Sequence, residues 1–299
     1  MSETSPRIAV LIPCYNEEAA IAQTVTDFRA ALPMATVYVY DNNSSDQTVA
    51  RAKEAGAVVR SEPRQGKGNV VRRMFADIEA DVYVLTDGDD TYDASVAPSL
   101  VQTLLDGAYD IISGRRIATA KDAYRAGNVL GNKLLTGLTA LMFNVHLKDM
   151  LTGYRIMSRR FVKSFPFTSA GFGIETELTV HAVRLLMPMV EIDTKYKERP
   201  EGSVSKLSTY KDGFKILFTI ISLVREERPF IFFGGLFAIF AILSLILGIP
   251  VVLEYVETGY VPRLPTAVLS VALMLLALLS LFSGLILDTV TRGRWELKR

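Results

Sequence analysis

The sequence predicts an α/β domain with a mainly parallel sheet, followed by an amphipathic interfacial helix and two transmembrane helices. Three observations carry this. Short apolar runs of β-forming residues alternate with helical stretches over the first half of the chain. Polar side chains fall repeatedly at the carboxyl ends of those runs. Two long segments near the C-terminus contain no charged residue. Strands alternating with helices imply βαβ units and a parallel sheet, and such sheets bind ligands outside the carboxyl ends of their strands.

In chain order, Ile8–Ile12 is an apolar run closed by Pro13, a buried strand and a turn. Glu17–Leu32 has helical spacing at Ile21, Val25, Phe28 and Leu32. Val37–Tyr40 is a second strand ending at Asp41, and Ser45–Ala55 reads as a helix capped by Ser44 or Ser45. A short strand over Ala57–Arg60 leads to the loop Ser61–Gly68 and a helix over Asn69–Ala80. Val82–Thr86, Ser95–Leu105 and Asp110–Ser113 read as strand, helix and strand. Tyr15 and Glu17 follow the first strand, Asp41 the second, Asp87 and Asp89 the fourth, Arg115 and Arg116 the fifth.

The fourth strand ends abruptly in Asp87, Gly88, Asp89 and Asp90. Three carboxylates at the end of an apolar strand are electrostatically costly unless a cation sits there. Hard oxygen ligands suit Mg²⁺ or Mn²⁺, held by one or two carboxylates plus substrate phosphates. Gly88 is read as the residue that lets the backbone turn tightly between them. An EF-hand is excluded, because the sixth loop position from Asp87 is Tyr92 and the twelfth is Pro98. No GxGxxG follows the first strand. RQGKG (Arg64–Gly68) is not a P-loop, since Ser61 stands where its first glycine belongs. Lys67 remains a glycine-flanked lysine at a helix start, suited to a phosphate.

Composition narrows the classes further. The 299 residues carry a formal net charge of +1, so nothing pulls the whole chain toward nucleic acid. Cys14 is the single cysteine, which excludes an intrachain disulfide and fits a reducing compartment. Two histidines, His146 and His181, make a His-rich zinc site a poor fit. The start, MSETSPR, does not resemble a signal peptide.

Taken together, PCYNE (Pro13–Glu17), YDNNSSD (Tyr40–Asp46), RQGKG and DGD (Asp87–Asp89) resemble a family 2 glycosyltransferase with a Rossmann-like GT-A fold. The resemblance covers about residues 7–210. DMLTGYR (Asp149–Arg155), GFGIETELT (Gly171–Thr179) and KERPEGSVSKL (Lys197–Leu207) narrow it to polyprenyl-phosphate glycosyltransferases of the dolichol-phosphate mannose or glucose synthase type. The resemblance implies inverting transfer of one hexose from a nucleotide diphosphate sugar (UDP-glucose or GDP-mannose) to a polyprenyl phosphate. It implies that Pro13, Tyr15, Glu17 and Asp41 form the base and ribose pocket. Lys67 would join the donor site, and Asp87 and Asp89, with Gly88 between them, would hold Mg²⁺ or Mn²⁺ on the diphosphate. Mannose synthases usually carry Gln where this chain has Thr91, so the third ligand is Thr91, Asp93 or water. Asp149 matches a proposed catalytic base. A lipid phosphate has a second pKa near ~6 and is already mostly ionised, so Asp149 is equally readable as orienting a basic residue or a sugar hydroxyl. Glu175 and Glu177 are its rivals; on a helix they point to different faces. Arg199, Lys206 and Arg115 are the cations expected at the acceptor phosphate, with Arg125, Lys133 and Arg155 behind them.

Phe230–Leu253 and Leu264–Leu287 are free of charge and long enough to span a bilayer. Arg225 and Arg228 precede them; Arg292, Arg294, Lys298 and Arg299 follow. The positive-inside rule then puts the catalytic domain and C-terminus in the cytoplasm, at the cell (inner) membrane. Leu207–Val224 places Tyr210, Phe214, Leu217, Phe218, Ile221 and Val224 on one helical face, as an interfacial helix or a core helix. The expected organisation is a GT-A domain over 1–206, a juxtamembrane helix over 207–228, a two-helix hairpin over 229–288 and a basic tail over 289–299. A hairpin packs poorly alone, which points to a homo-oligomer. Two rivals stand beside this reading. One is a family 2 enzyme acting on another lipid or glycan, and the other is a non-catalytic membrane subunit. Processive relatives usually carry QxxRW, and the single Trp here, Trp295, lies in the tail.

Overall fold

The computed structural model describes residues 5–118, 148–166, 173–200 and 228–296, with a few isolated positions elsewhere. The chain divides into two units, Met1–Thr219 and Ile220–Arg299. Lys206, Arg125, Lys133 and most of the expected helix over 207–228 lie outside the described residues.

The first unit is an α/β sandwich around one sheet. Its strands are β1 (Ile8–Cys14), β2 (Thr36–Asp41), β3 (Val58–Ser61), β4 (Val82–Leu85), β5 (Ile111–Ala118), β6 (Arg155–Ser158) and β7 (Met189–Tyr196). Its helices are α1 (Ile21–Ala31), α2 (Thr48–Glu54), α3 (Lys67–Asp77), α4 (Ala97–Leu105), α5 (Arg159–Ser164) and α6 (Ile174–Arg184). The strand order is β3-β2-β1-β4-β6-β5-β7. All neighbours are parallel except β6, which runs against both β4 and β5.

Alternation along the strands divides the core into two layers. Val10, Ile12, Val39 and Val84 face one way and pack with Ile21, Val25 and Phe28 of α1 and with Ala97, Leu100 and Val101 of α4. Leu11, Tyr83, Leu85 and Met157 face the other way, against Val70, Val71 and Met74 of α3, Phe161 of α5 and Leu178 of α6. Phe28 is 1% exposed, and burial of a side chain that size contributes about 2–3 kcal/mol.

The first four strands fall where the apolar runs place them. β5 is longer than the run Asp110–Ser113 and carries Arg115 and Arg116 within it, paired with Asp193 and Thr194 of β7. Gly88 has no positive φ. Asp90 is the residue that turns left-handed, at φ 55°. Gly88 is required for a different reason: a Cβ there would stand 2.6 Å from Cys14 Sγ.

The second unit is a hairpin of α7 (Pro229–Thr258) and α8 (Leu264–Glu296). Thirty residues of α7 span about 45 Å at 1.5 Å per residue. The most apolar windows of the pair reach mean hydropathies of 2.9 and 2.5, yet only 11% of each window is buried. A core helix of a soluble protein would bury that surface, so the hairpin has the length, composition and outward-facing apolarity of a membrane anchor. Ser244 Oγ donates to the Ser270 carbonyl at 2.7 Å and Ser270 Oγ to the Ser244 carbonyl at 3.1 Å. This reciprocal pair joins the two helices where Gly248 lets them approach.

Candidate active site

The site begins with the turn after β2. Asn42 Nδ2 donates to the carbonyls of Glu62 and Arg64, and its Oδ1 accepts from Gly66 N at 2.7 Å. YDNNSSD thus clamps RQGKG. Gly66 sits at φ 128°, ψ 133°, a region open to glycine alone. The clamp and that glycine deliver Lys67 as the first residue of α3.

Lys67 Nζ lies 2.6 Å from both Asp87 Oδ1 and Glu175 Oε1. Burial alone would lower its pKa, but the two carboxylates outweigh burial and raise it, so it stays charged. Burial would likewise raise the Asp87 pKa, and Lys67 reverses that and holds it low. Asp89 differs. Burial and then the Asp87 charge raise its pKa, against the opposing pull of Arg199 and the Thr91 hydrogen bonds. Arg199 Nη2 bonds Asp89 Oδ2, and its Nη1 is 3.8 Å from Glu17 Oε1.

Thr91 Oγ1 donates to Asp89 Oδ1 at 2.6 Å and its backbone N–H adds a second bond at 3.2 Å. The hydroxyl thus orients Asp89 and sits beside the oxygen donors it was expected to join as a metal ligand. Asp93, its rival for that role, accepts from Ser95 and caps the turn leading to α4. Lys197 Nζ holds Asp90 at 3.3 Å.

A divalent cation fits this edge. Asp87 and Asp89 are hard, mostly enclosed oxygen donors whose charges are balanced by side-chain cations. Among the described residues no group of three or more His, Cys, Asp or Glu forms a metal cage; a Mg²⁺-type site of one or two carboxylates is completed by substrate phosphates and water.

The antiparallel course of β6 brings the stretch before it to the same edge. Asp149 is buried and takes a bidentate bond from Arg116, Nε and Nη2 each at 2.7 Å, with the Arg116 N–H at 3.1 Å. Arg116 also lies over the Tyr196 ring, 5.6 Å from its centroid. Arg115, one residue earlier in β5, faces the opposite way and is paired with Asp193. The arginine at the site is thus Arg116, and adjacency of two identical residues hides that in the sequence. Arg155 is also not a phosphate-binding cation: it is fully buried and donates to the carbonyls of Met150, Thr152 and Glu175 and to Ser113 Oγ.

On the donor-pocket side, Pro13 lies in β1 opposite Tyr40. Tyr15 is 40% exposed. Glu17 and Asp41 are buried; Thr48 Oγ1 accepts from Glu17 N, and Asp41 accepts from Ser44 N. Glu175, read from the sequence as a rival to Asp149 for the base or for orienting a basic residue, is the second carboxylate on Lys67. Glu177 is buried in the same helix.

A seven-stranded, mostly parallel sheet with buried carboxylates and cations at its carboxyl edge is an α/β fold with a ligand site at the strand ends. The chain belongs to glycosyl transferase family 2, whose sequence profile matches residues 9–165. Glycosyltransferase AglJ of Haloferax volcanii is 31% identical, covering 99% of this chain and 98% of its own. The dolichyl-phosphate hexose transferase of the same organism is 28% identical, covering 74% and 95%. The crystal structure of glucosyl-3-phosphoglycerate synthase from Mycobacterium tuberculosis with Mn²⁺ and UDP-glucose superposes with a TM-score of 0.60. It covers 74% of this chain and 78% of that one at 24% identity, a likeness of fold.

Proposed function

We propose that this glycosyltransferase moves a single hexose, with inversion, from a nucleotide diphosphate sugar (UDP-glucose or GDP-mannose) to a polyprenyl phosphate at the cytoplasmic face of the cell membrane. The observation that carries it is the pairing of Asp87 with Lys67 and of Asp89 with Arg199 at the carboxyl edge of the sheet. Such a set takes up a diphosphate and its cation with little change in net local charge.

Tyr15 stacks on the base, while Glu17 and Asp41 accept from base N–H and ribose hydroxyls. Asp87 and Asp89 would hold Mg²⁺ or Mn²⁺, which would supply Lewis-acid neutralisation of a departing diphosphate. Lys67, at the N-terminus of α3, adds a fixed positive charge beside it. Asp149 locks Arg116 and takes no proton, because a phosphate monoester with a second pKa near ~6 attacks already ionised. Arg199 and Lys206 bind the acceptor phosphate. The lipid acceptor is supported by the two apolar helices and by a relative named for dolichyl phosphate.

The test is transfer of radiolabel from UDP-glucose, GDP-mannose and UDP-N-acetylhexosamines to polyprenyl phosphate in membranes, with and without EDTA. EDTA-sensitive label in the organic phase from one donor is expected, and it is lost in Asp87→Ala and Asp89→Ala. Label that stays aqueous with every donor refutes the lipid acceptor; activity retained in either variant refutes the metal assignment.

A further inference from the structure

Asp87 and Asp89 are neutralised by cations that differ in one respect. Lys67 is enclosed, with 13% of its side chain exposed, and it bridges two carboxylates from the rigid start of α3. Arg199 follows the end of β7 in irregular chain, with 26% of its side chain exposed. The two oxygens of Asp89 are also distinct. Oδ1 accepts both Thr91 bonds, so Oδ2 is the oxygen a metal can take, and Arg199 holds it. A metal at Asp89 Oδ2 and a guanidinium on the same oxygen compete for it, because two cations at that separation repel.

We propose that Arg199 is an internal counter-cation that a divalent metal displaces from Asp89, releasing the guanidinium to a phosphate only after the metal has bound. The second half rests on the reading of the site as a sugar-nucleotide site with a phosphate acceptor. The first half concerns metal and side chain alone. The device enforces an order. The buried carboxylates keep a partner before substrate arrives, which avoids the cost of an unpaired buried charge. The acceptor's cation is withheld until the metal is in place.

The experiment is Mn²⁺ binding to the full chain in detergent, read by the electron paramagnetic resonance of free Mn²⁺, without nucleotide and then with UDP. Arg199→Ala and Arg199→Gln should both bind Mn²⁺ about tenfold more tightly than the wild type without nucleotide, the equivalent of about 1.4 kcal/mol. In the wild type, amide exchange in a peptide ending at Arg199 should speed up on Mn²⁺ addition, and in Asp89→Asn it should not. Unchanged or weaker Mn²⁺ binding in both Arg199 variants overturns the inference alone, provided the wild type binds Mn²⁺ with UDP. A wild type that takes up no Mn²⁺ in either condition overturns the inference and the metal assignment together.

Discussion

Gly153→Ala probes the site without replacing a charged residue. A Cβ at Gly153 would stand 2.5 Å from Asp87 Oδ2 and 2.9 Å from its Cγ. Ordinary contact begins at 3.4 Å, so the pair must separate by 3.4 − 2.5 = 0.9 Å. Neither side yields freely. Asp87 is tethered to Lys67, which is tethered to Glu175. Gly153 N–H donates to Tyr92 Oη at 2.8 Å, and the neighbouring Thr152 Oγ1 donates to the Gly114 carbonyl at 2.6 Å. A misplacement of nearly 1 Å at a catalytic group costs on the order of 10²-fold in rate. Overpacking costs about 1–3 kcal/mol of stability, which leaves a fold of ordinary stability, about 5–15 kcal/mol, intact. Initial rates of label transfer should therefore collapse while the protein still folds, its thermal unfolding midpoint lowered by about 2–12 °C. A variant that turns over like the wild type would show that the position of Asp87 is not critical, and the metal assignment would lose its footing.

Three further outcomes are expected. Asp149→Asn keeps an oxygen for Arg116, so it should slow transfer while leaving the acid limb of the pH–rate profile in place; loss of that limb would restore Asp149 as a base. Glu175→Gln should slow transfer through Lys67, and the double variant with Lys67→Ala should be no slower than Lys67→Ala alone; additive losses would give Glu175 a separate role. Asp110 accepts from Ser158 Oγ at 2.7 Å and from Arg160. Burial raises its pKa, but those bonds outweigh it and the net shift is downward. Its stabilisation is thus present at neutral pH and is lost as pH falls through the carboxylate range. Arg160 is 71% exposed, so the Ser158 bond carries most of the effect, and Asp110→Asn should cost about 1 kcal/mol at neutral pH. That deficit should shrink on acidification in denaturant unfolding, and a constant deficit would refute the assignment.

The parts legible in the sequence are those set by local pattern. The apolar runs of β1, β2 and β4 are buried on both faces and announce themselves without tertiary context. The carboxylates at their ends follow from the same reading. β6 is hidden because it has four residues and opens with Arg155, a side chain whose burial depends on carbonyls far away in the chain. β7 reads MVEIDTKY, an edge strand too polar to stand out. Arg116 differs from Arg115 only by the alternation of a strand whose extent the sequence does not mark. Gly153 is a matter of distance to Asp87, and no pattern within the chain encodes that.

The single reversed strand carries a consequence for how the site is assembled. β5 finishes, and β6 starts, at the edge where the carboxylates lie. The chain between Ala118 and Arg155 therefore leaves and re-enters the framework at the mouth of the site. Its last residues are tied to the site: Asp149 holds Arg116, Thr152 Oγ1 donates to the Gly114 carbonyl and the Gly153 N–H to Tyr92 Oη. One reversed strand thus puts the residues that open β6 at the same edge as those that close β4, although the two strands run in opposite directions.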